Sequence, residues 1–345
     1  MTNITLFSQI ISKLDRFSFS KLVCVHQTDK HQKGYTSWTH LVAMLFCQFA
    51  KSQSVRDISN GLRSATGNLN HLGIERAPSK STISYQNKHR DWRLFRDYYY
   101  CLLKSLGQQA GFKQVKFRIK SKILLLDSTT ISLCLSLFDW AKYKTQKGAV
   151  KMHTLLDYDG NLPAYVLVSD GKTPDNKGAY DIPLLKNSVI VADRFYNDFS
   201  LLNVWDSSGV WFVVRHKENL QYTSIQENEL PDGRHEHILK DERIQLTGPE
   251  TSKKYPGKLR RVAVWDEQNQ QVIELITNHP NWTANTIGEL YKSRWQIEIF
   301  FREIKQLLHI KSFIGTTENA VMIQIWTALI TILILKALKA MAKHR

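Results

Sequence analysis

Two short apolar runs, each closed by an aspartate, constrain the fold of this 345-residue chain more than any other feature of its sequence. Residues 122–133 (KILLLDSTTISL) and 188–198 (SVIVADRFYND) each open with a continuous apolar run that leaves no solvent-facing side, so each predicts a buried central strand, the second one ending at Asp193. A hairpin at 149–171 precedes the second run, and a helix at 199–209 and a strand at 210–217 follow it. This order predicts an α/β sheet that starts with antiparallel strands.

Changes of composition and period divide the chain into four predicted parts. Residues 1–115 have the pattern of short helices, and residues 116–217 hold the strands and helices just described. Residues 218–280 are polar and rich in Glu, Gln, Gly and Pro, with strand-like pieces, which predicts a β-rich insertion carried on the sheet. Residues 281–345 return to helical periodicity and are expected to complete the core of the sheet domain.

The N-terminal part contains a helix-turn-helix-like pattern. Helices are predicted at 37–52, with Ser37 as the N-cap, at 54–64, and over a long stretch, 77–106, that opens with S-K-S-T-I-S. A short helix, a turn with glycine and a second helix form the arrangement in which the second helix meets base edges and phosphates. An ordinary helical bundle with a polar cap explains the same pattern equally well. In the first alternative the residues that meet DNA are Ser79, Lys80, Ser81 and Thr82.

Positive charge is concentrated at the two ends of the chain. Residues 1–120 hold 19 Lys and Arg against 6 Asp and Glu, and residues 286–345 hold 9 against 4. The middle, residues 121–285, holds 19 against 21, and the whole chain has a net charge of +16. Basic ends around a nearly neutral centre favour a polyanionic partner, although charge by itself says nothing about the fold.

The C-terminal helix predicted at 319–343 includes an apolar stretch, residues 321–340, that resembles a membrane span. Polar residues interrupt that stretch at Gln324, Thr327 and Thr331, and its length is borderline for crossing a bilayer. We therefore expect a buried helix and no membrane association.

The chain has no charged start followed by an apolar segment, so no signal peptide is predicted. Its four cysteines are far apart and form no C-x-x-C pair, which is compatible with a reducing cytoplasm. We expect a cytoplasmic protein. The cysteines are Cys24, Cys47, Cys101 and Cys134.

Asp127 and Asp193 end, or nearly end, the two buried runs, where a half-shielded carboxylate is costly unless a positive group compensates it. Such residues often cap strands or form salt bridges. Two of them on neighbouring strands also suit a hard divalent cation, which takes carboxylate oxygens. The spacing of the residues alone leaves both interpretations open.

A predicted helix over 283–309 supplies a third carboxylate, Glu298. Arg294 lies one turn before it and Lys305 two turns after it, so the three share one stripe of the helix. The ordinary alternative is an amphipathic helix with a solvated charged face. On this stripe one acid lies between two cations, which instead fits a metal ligand beside a phosphate backbone. The residues expected to pack inward are Ile297, Phe300, Phe301 and Ile304.

The same helix carries a family resemblance. Tyr291, Arg294, Glu298 and Lys305 reproduce the Y-x2-R-x3-E-x6-K signature, so the sequence resembles bacterial insertion-sequence transposases of the DDE class, the "IS four" family. LLLDSTTI and VIVADRFYN, around the two aspartates, are similar to the first two catalytic blocks of that family. The match covers about residues 115–340 in the correct order.

The resemblance implies an RNase H-like mixed sheet flanked by helices and interrupted by a β-rich insertion, with an all-α DNA-binding region before it. It implies that Asp127, Asp193 and Glu298 are the catalytic triad and hold Mg²⁺, with Mn²⁺ as a substitute. The expected reaction is two-metal cleavage at the terminal inverted repeats and strand transfer to target DNA, by a protein that is a dimer on DNA. A related metal-dependent nuclease, or an inactive DNA-binding regulator, is the alternative.

Other residues have two open interpretations each. Lys151, His153 and Arg194 are candidates for phosphate or DNA contact, but His153 also suits a packed core and Arg194 a carboxylate partner. Trp295 is expected in the core rather than as a base-stacking residue. One basic cluster of the insertion is either a DNA contact or a solvated face: Lys253, Lys254, Lys258, Arg260 and Arg261.

Overall fold

The structure is a computed structural model and describes residues 4–65, 69–109, 117, 119–133, 140, 142–144, 147–230, 237–307 and 313–343. Cys134 lies outside the described residues. The chain forms two compact units. The first comprises Met1–Phe112, Ile131–Ala149 and Arg302–Arg345, and the second comprises Lys113–Thr130 and Val150–Phe301. This division groups residues 302–345 with the N-terminal helices, whereas residues 281–345 were predicted to complete the core of the sheet domain.

The first unit is built of helices whose starts are fixed by hydroxyl caps. Thr36, not the predicted Ser37, caps the third helix by accepting a hydrogen bond from the Thr39 amide. Ser54 and Ser79 cap the two helices that follow. The helices are α1 (Ile4–Ser12), α2 (Arg16–His26), α3 (Ser37–Ala50), α4 (Val55–Arg63), α5 (Lys80–His89), α6 (Arg93–Gln109) and α12 (Glu318–Lys343).

The long helix predicted over 77–106 is wrong, because the chain bends between α5 and α6. Arg90 has an extended backbone, with ψ 129°, and ends α5. Its guanidinium donates to the carbonyl oxygens of Tyr35 at 2.8 Å and Thr36 at 3.0 Å, just before α3. The interruption therefore coincides with a tertiary contact of Arg90, and Asp91 next to it accepts from the Arg93 amide at the start of α6 at 2.9 Å.

The apolar C-terminal helix α12 packs against α3, α5 and α6. Trp326 stacks on Trp92 of the α5–α6 connection, with ring centroids 6.4 Å apart. By length and composition α12 could span a membrane, with an 18-residue window of mean hydropathy 2.1, but 83% of that window is buried inside the protein. A single helix of this kind is weak evidence for a membrane span, because core helices share the same composition.

The second unit is organised around a mixed sheet with the strand order β4-β3-β1-β5-β6-β10-β9-β8-β7, and β2 pairs with the start of β3. Strands β1, β5 and β6 are parallel neighbours, and the side chains of β5 are completely buried. The strands are β1 (Ile123–Leu133), β2 (Lys142–Lys144), β3 (Lys147–Asp157), β4 (Leu162–Asp170), β5 (Val189–Ala192), β6 (Trp211–Arg215), β7 (Tyr222–Glu227), β8 (Ile238–Leu246), β9 (Lys258–Asp266) and β10 (Gln271–Thr277).

The predicted β-rich insertion extends this same sheet. Strand β10 pairs antiparallel with β6, and β9, β8 and β7 follow outward. Arg260 donates to Asp241 at 2.6 and 2.8 Å, and Arg261 donates to Glu242 at 2.6 Å. Both arginines are buried, so neither DNA contact nor a solvated face applies to them, while Lys253, Lys254 and Lys258 are exposed.

The helices of the second unit are α7 (Asp175–Tyr180), α8 (Phe199–Ser207), α9 (Pro249–Lys254) and α10 (Ala284–Ser293), and α11 (Trp295–Leu307) continues into the first unit. The helix predicted over 283–309 is therefore two helices, with Arg294 between them. As predicted, Ile297, Phe300, Phe301 and Ile304 are buried.

Candidate active site

The register of the parallel strands places Asp127 and Asp193 side by side. Leu126 on β1 pairs with Ala192 on β5, and each aspartate is the next residue along its strand direction. The Ser128 amide donates to Asp127 Oδ1 at 2.7 Å, and the Phe195 amide donates to Asp193 Oδ1 at 2.9 Å. Asp193 directly follows the end of β5, whereas β1 continues beyond Asp127 to Leu133, so Asp127 does not end its strand as the sequence suggested. Local backbone amides orient the two neighbouring carboxylates.

The guanidinium of Arg294 joins the third carboxylate to the first. Its Nη2 lies 2.6 Å from Glu298 Oε1, one helical turn later, and its Nη1 lies 3.4 Å from Asp127 Oδ2. The break between α10 and α11 falls at Arg294. The Arg294 carbon Cζ is 5.8 Å from the centre of the Tyr291 ring.

Burial and mutual repulsion perturb the acids. Burial, followed by the charges of Asp193 and Glu298, raises the pKa of Asp127 to about 7, although Ser128 and Arg294 oppose the shift. Burial is also the main cause that raises the pKa of Asp193. Burial alone would lower the pKa of Arg294, but Tyr291 and the two carboxylates outweigh it, and its pKa is raised. One guanidinium thus leaves the acids incompletely neutralised.

The donor set fits a hard divalent cation. Carboxylate oxygens are the ligands that Mg²⁺ and Mn²⁺ prefer. Burial, followed by the charge of Asp193, raises the pKa of Asp127, so a cation at this position would stabilise the charged form of the carboxylate. Among the described residues, however, no three Asp, Glu, His or Cys side chains are close enough to form a ready metal site. Arg294 contacts oxygens of both Asp127 and Glu298, so the guanidinium and a metal ion would compete for the same atoms.

The comparisons with known proteins agree with this geometry. The family model described as a transposase DDE domain matches residues 118–334, more than half of the chain. The chain belongs to the DDE transposase family. It is therefore a DNA transposase, an enzyme whose partner is DNA and whose family uses divalent metal. A second model, for a domain of unknown function, matches residues 2–75 of the transposase.

Curated relatives carry the same description. A probable transposase for insertion sequence element IS5377 from Geobacillus stearothermophilus is 27% identical over 77% of this chain and 68% of the relative. The putative transposase y4zB of Sinorhizobium fredii is 28% identical over 75% of this chain and 71% of its own length. The transposase InsG for insertion sequence element IS4 of Escherichia coli is 29% identical over 35% of this chain and 28% of its own length.

The other candidate residues of the transposase have different surroundings in the structure. Arg194 is exposed directly after Asp193 and forms no ion pair within the part of the chain that the structure describes. Lys151 instead pairs with a carboxylate, Asp175, at 2.9 Å. Lys305 lies on α11 in the stretch assigned to the first unit, and its role remains a prediction.

His153 is not placed for contact with DNA. It is 1% exposed, and its Nε2 forms a hydrogen bond with Ser169 Oγ at 3.0 Å on the paired strand β4. The absence of a side chain at Gly178 leaves room for the imidazole ring. The alternative of a packed core histidine therefore describes this residue. Trp295 was predicted to lie in the core, but 54% of its surface is exposed.

The predicted DNA-contact residues of the first unit lie at the start of α5. The hydroxyl of Ser79 accepts from the Thr82 amide at 3.2 Å and is 2.9 Å from Ser81 Oγ. Lys80 and Ser81 are exposed and Thr82 is partly exposed. Ser79 thus has a structural role as the cap, while Lys80 and Ser81 face solvent.

Sequence reasoning missed Asp175, at the start of α7, and Ser128. Asp175 Oδ1 accepts from Ser128 Oγ at 2.5 Å, and its charge helps to raise the pKa of Asp193. Burial and the aspartates 127, 175 and 193 raise the pKa of Tyr196 well above its ordinary value. The only signal was the sequence Thr173-Pro174-Asp175 after a strand, which is also the pattern of an ordinary helix start.

Proposed function

We propose that this transposase binds the terminal inverted repeats of an insertion sequence, cleaves the strands at its ends with Mg²⁺, and joins the 3′ ends to target DNA. The supporting observation is that Asp127, within β1, and Asp193, directly after β5, follow paired residues of two parallel strands, while Arg294 joins Glu298 to Asp127. Because two ends of one element must be processed together, we propose that it acts as a dimer on DNA. In this proposal the protein acts in the bacterial cytoplasm, where it binds the DNA of the nucleoid.

In this proposal Asp127, Asp193 and Glu298 hold Mg²⁺, or Mn²⁺ in its place. A bound divalent ion supplies activation of the attacking oxygen and charge stabilisation at the phosphate. Ser128 and Phe195 keep the two aspartates oriented through their amides. The protein contributes position and electrostatics, and no side chain is required as a covalent nucleophile.

The proposed contacts with DNA are made by cations and polar groups around this centre. Arg294 and Tyr291 lie next to each other beside the acids, and Arg194 is exposed immediately after Asp193. We propose that these three residues and Lys305 bind the phosphates of the scissile strand. The first unit is proposed to read the terminal repeat with the start of α5, through Lys80, Ser81 and Thr82, where Ser79 caps the helix.

Replacement of the acids tests the proposal. Asp127→Asn, Asp193→Asn and Glu298→Gln should each abolish cleavage of a terminal-repeat duplex in Mg²⁺ and leave binding of that duplex nearly unchanged. Glu250→Gln, on a side chain that is 77% exposed on α9, is the control and should cleave normally. Equal loss of binding and cleavage in all three variants would indicate a structural role. Cleavage without strand transfer by the unchanged protein would indicate a nuclease.

A further inference from the structure

Three residues from separate parts of the chain form one chain of polar contacts beside Asp127. Lys151 on β3 lies 2.9 Å from Asp175 Oδ1, and the same oxygen accepts from Ser128 Oγ at 2.5 Å. Lys151 also donates to the carbonyl oxygen of Thr173 at 2.8 Å. We name Lys151, Asp175 and Ser128 the Asp175 network. It joins β3, the start of α7 and the catalytic edge of β1.

The network acts on Asp127 through Ser128. The side chain of Ser128 is tied to Asp175, while its backbone amide donates to Asp127 Oδ1 at 2.7 Å. A shift of Ser128 would therefore move the donor that orients the Asp127 carboxylate. Groups in the layer behind a metal ligand are known to fix its orientation and so to govern metal affinity.

The burial of Lys151 explains why it has this internal role. Its side chain is 14% exposed and that of Asp175 is 25% exposed, and the Lys151 ammonium is directed to the Asp175 carboxylate. The Lys151 ammonium uses two of its three N–H donors for the Asp175 carboxylate and the Thr173 carbonyl oxygen. Removal of either partner would leave a poorly solvated charge near the acids.

We propose that Ser128, Asp175 and Lys151 are positioning residues that hold Asp127 in the orientation that binds metal, and that Lys151 does not bind DNA. This inference rests on the proposed function, because it assumes that Asp127 is a metal ligand. None of the three residues touches the DNA or the reacting atoms in this role. Their effect is expected in metal affinity and turnover, and not in DNA binding.

A variant without a change of charge gives the first test. Ser128→Ala removes only the hydroxyl, and we expect the affinity for Mn²⁺, measured by electron paramagnetic resonance of the unbound ion, to fall about tenfold. Ser128→Thr keeps a hydroxyl and should restore most of the affinity. The control is Ser208→Ala, which removes an exposed hydroxyl bonded to the Val204 carbonyl in the same unit. Terminal-repeat binding should be equal in all of these proteins.

A charge-balanced pair separates geometry from electrostatics. Lys151→Met and Asp175→Ala together leave the net charge unchanged but remove both contacts of the network. Positioning predicts that the double variant loses Mn²⁺ affinity at least as far as Ser128→Ala does. If charge alone mattered, Lys151→Met would bind Mn²⁺ more tightly and the double variant would match the unchanged protein, which would overturn the inference.

The Ser128 variants keep the test decisive even if the double variant does not fold. Unchanged Mn²⁺ affinity in Ser128→Ala, with normal thermal unfolding, would overturn the positioning role. Weaker terminal-repeat binding by Lys151→Met would show that Lys151 contacts DNA after all. The proposed function fails separately: if Asp127→Asn binds Mn²⁺ and cleaves DNA as the unchanged protein does, the triad assignment is wrong, whatever the Ser128 variants do.

Discussion

Arg294 partly neutralises two of the three acids that are proposed to bind metal. Its guanidinium contacts Asp127 Oδ2 and Glu298 Oε1, and its side chain is only 17% exposed. A divalent ion on the same oxygens would displace these contacts, which would release the guanidinium for a phosphate. Metal binding and phosphate binding at Arg294 are thus expected to favour each other, since coupling between two sites is reciprocal.

This competition gives a prediction for the DNA-free protein. Arg294→Gln should raise the affinity for Mn²⁺ about tenfold, because the competing cation is gone. In a metal chelator the same variant should unfold at a lower temperature, since two carboxylates then lack their partner. Added terminal-repeat DNA should increase Mn²⁺ affinity in the unchanged protein more than in Arg294→Gln. All three quantities are measured by Mn²⁺ titration and thermal unfolding.

The control for this prediction is Arg243→Gln, which removes an equal charge from an exposed position on β8. If Arg294→Gln and Arg243→Gln bind Mn²⁺ with equal affinity, the guanidinium does not compete with metal. Its contacts with Asp127 and Glu298 would then serve only to hold the end of α10 on the sheet.

Single residues differ in how far the sequence could predict them. Asp127 and Asp193 stand out because each directly follows an apolar run, and Glu298 stands out because it shares one helix stripe with Arg294 and Lys305. Asp175 does not, because an aspartate after a proline is also a normal helix start. Its partners lie on β1 and β3, and only the register of the folded sheet brings them together. His153 was ambiguous because strand alternation leaves open which face is buried.

At the scale of elements, strands were predicted better than helix ends. The apolar runs define β1, β5 and β6 locally, because a strand buried on both faces needs no pattern beyond its length. The helices predicted over 77–106 and 283–309 are each divided at an arginine. Arg90 donates to a pair of carbonyl groups before α3, and this tertiary contact is not specified by the local sequence.

A buried histidine joins two helices of the first unit. His40 on α3 is fully buried, and its Nε2 lies 2.8 Å from Asn87 Oδ1 on α5. Burial and the nearby charge of Arg90 lower the pKa of His40 to about 3. Histidine in the unfolded chain takes up a proton near pH 6.5, whereas the folded protein resists protonation down to about pH 3. The contribution of His40 to stability is therefore complete above pH 6.5 and is lost progressively as the pH falls.

The expected loss is up to about 1.4 kcal/mol of unfolding free energy per pH unit between pH 6.5 and 3. Urea unfolding at pH 7, 6 and 5 measures it. His40→Gln should be less stable at pH 7 but should lose less stability on acidification. His89→Gln, on an exposed side chain of α5, should follow the unchanged protein. Parallel pH curves for His40→Gln and the unchanged protein would exclude His40 as the source of the slope.

At the scale of the whole molecule, the two units divide the chain differently from its sequence segments. The helix α12 has apolar residues on all sides, which indicates burial but not the partner that covers it. In the structure it packs against α3, α5 and α6, so the N-terminal helices depend on residues near the end of the chain. DNA binding by the first unit therefore has to be measured on the full chain, because a fragment that ends before α12 lacks this packing.

The charge distribution gives the last prediction. The acids of the proposed catalytic centre belong to the second unit. Residues 1–120, in contrast, contain 19 Lys and Arg and only 6 Asp and Glu. If α5 meets the terminal repeat, its exposed lysines neutralise phosphates and release counterions, which makes affinity depend on salt. The combined change of Lys80 and Lys88 to Ala should reduce the slope of log affinity against log salt by about 2, and Mn²⁺ binding should not change.

The matched control changes Lys21 and Lys30, which are exposed elsewhere in the same unit, to Ala. Both double variants lose the same charge, so general attraction to DNA weakens equally in each. Only the change at Lys80 and Lys88 should also reduce the preference for the terminal repeat over a random duplex, because phosphate contacts at the start and in the last turn of α5 would fix the register of that helix on the bases. Equal slopes and equal preferences in the two variants would mean that α5 does not face the DNA, and the ordinary helical bundle would then be the correct interpretation.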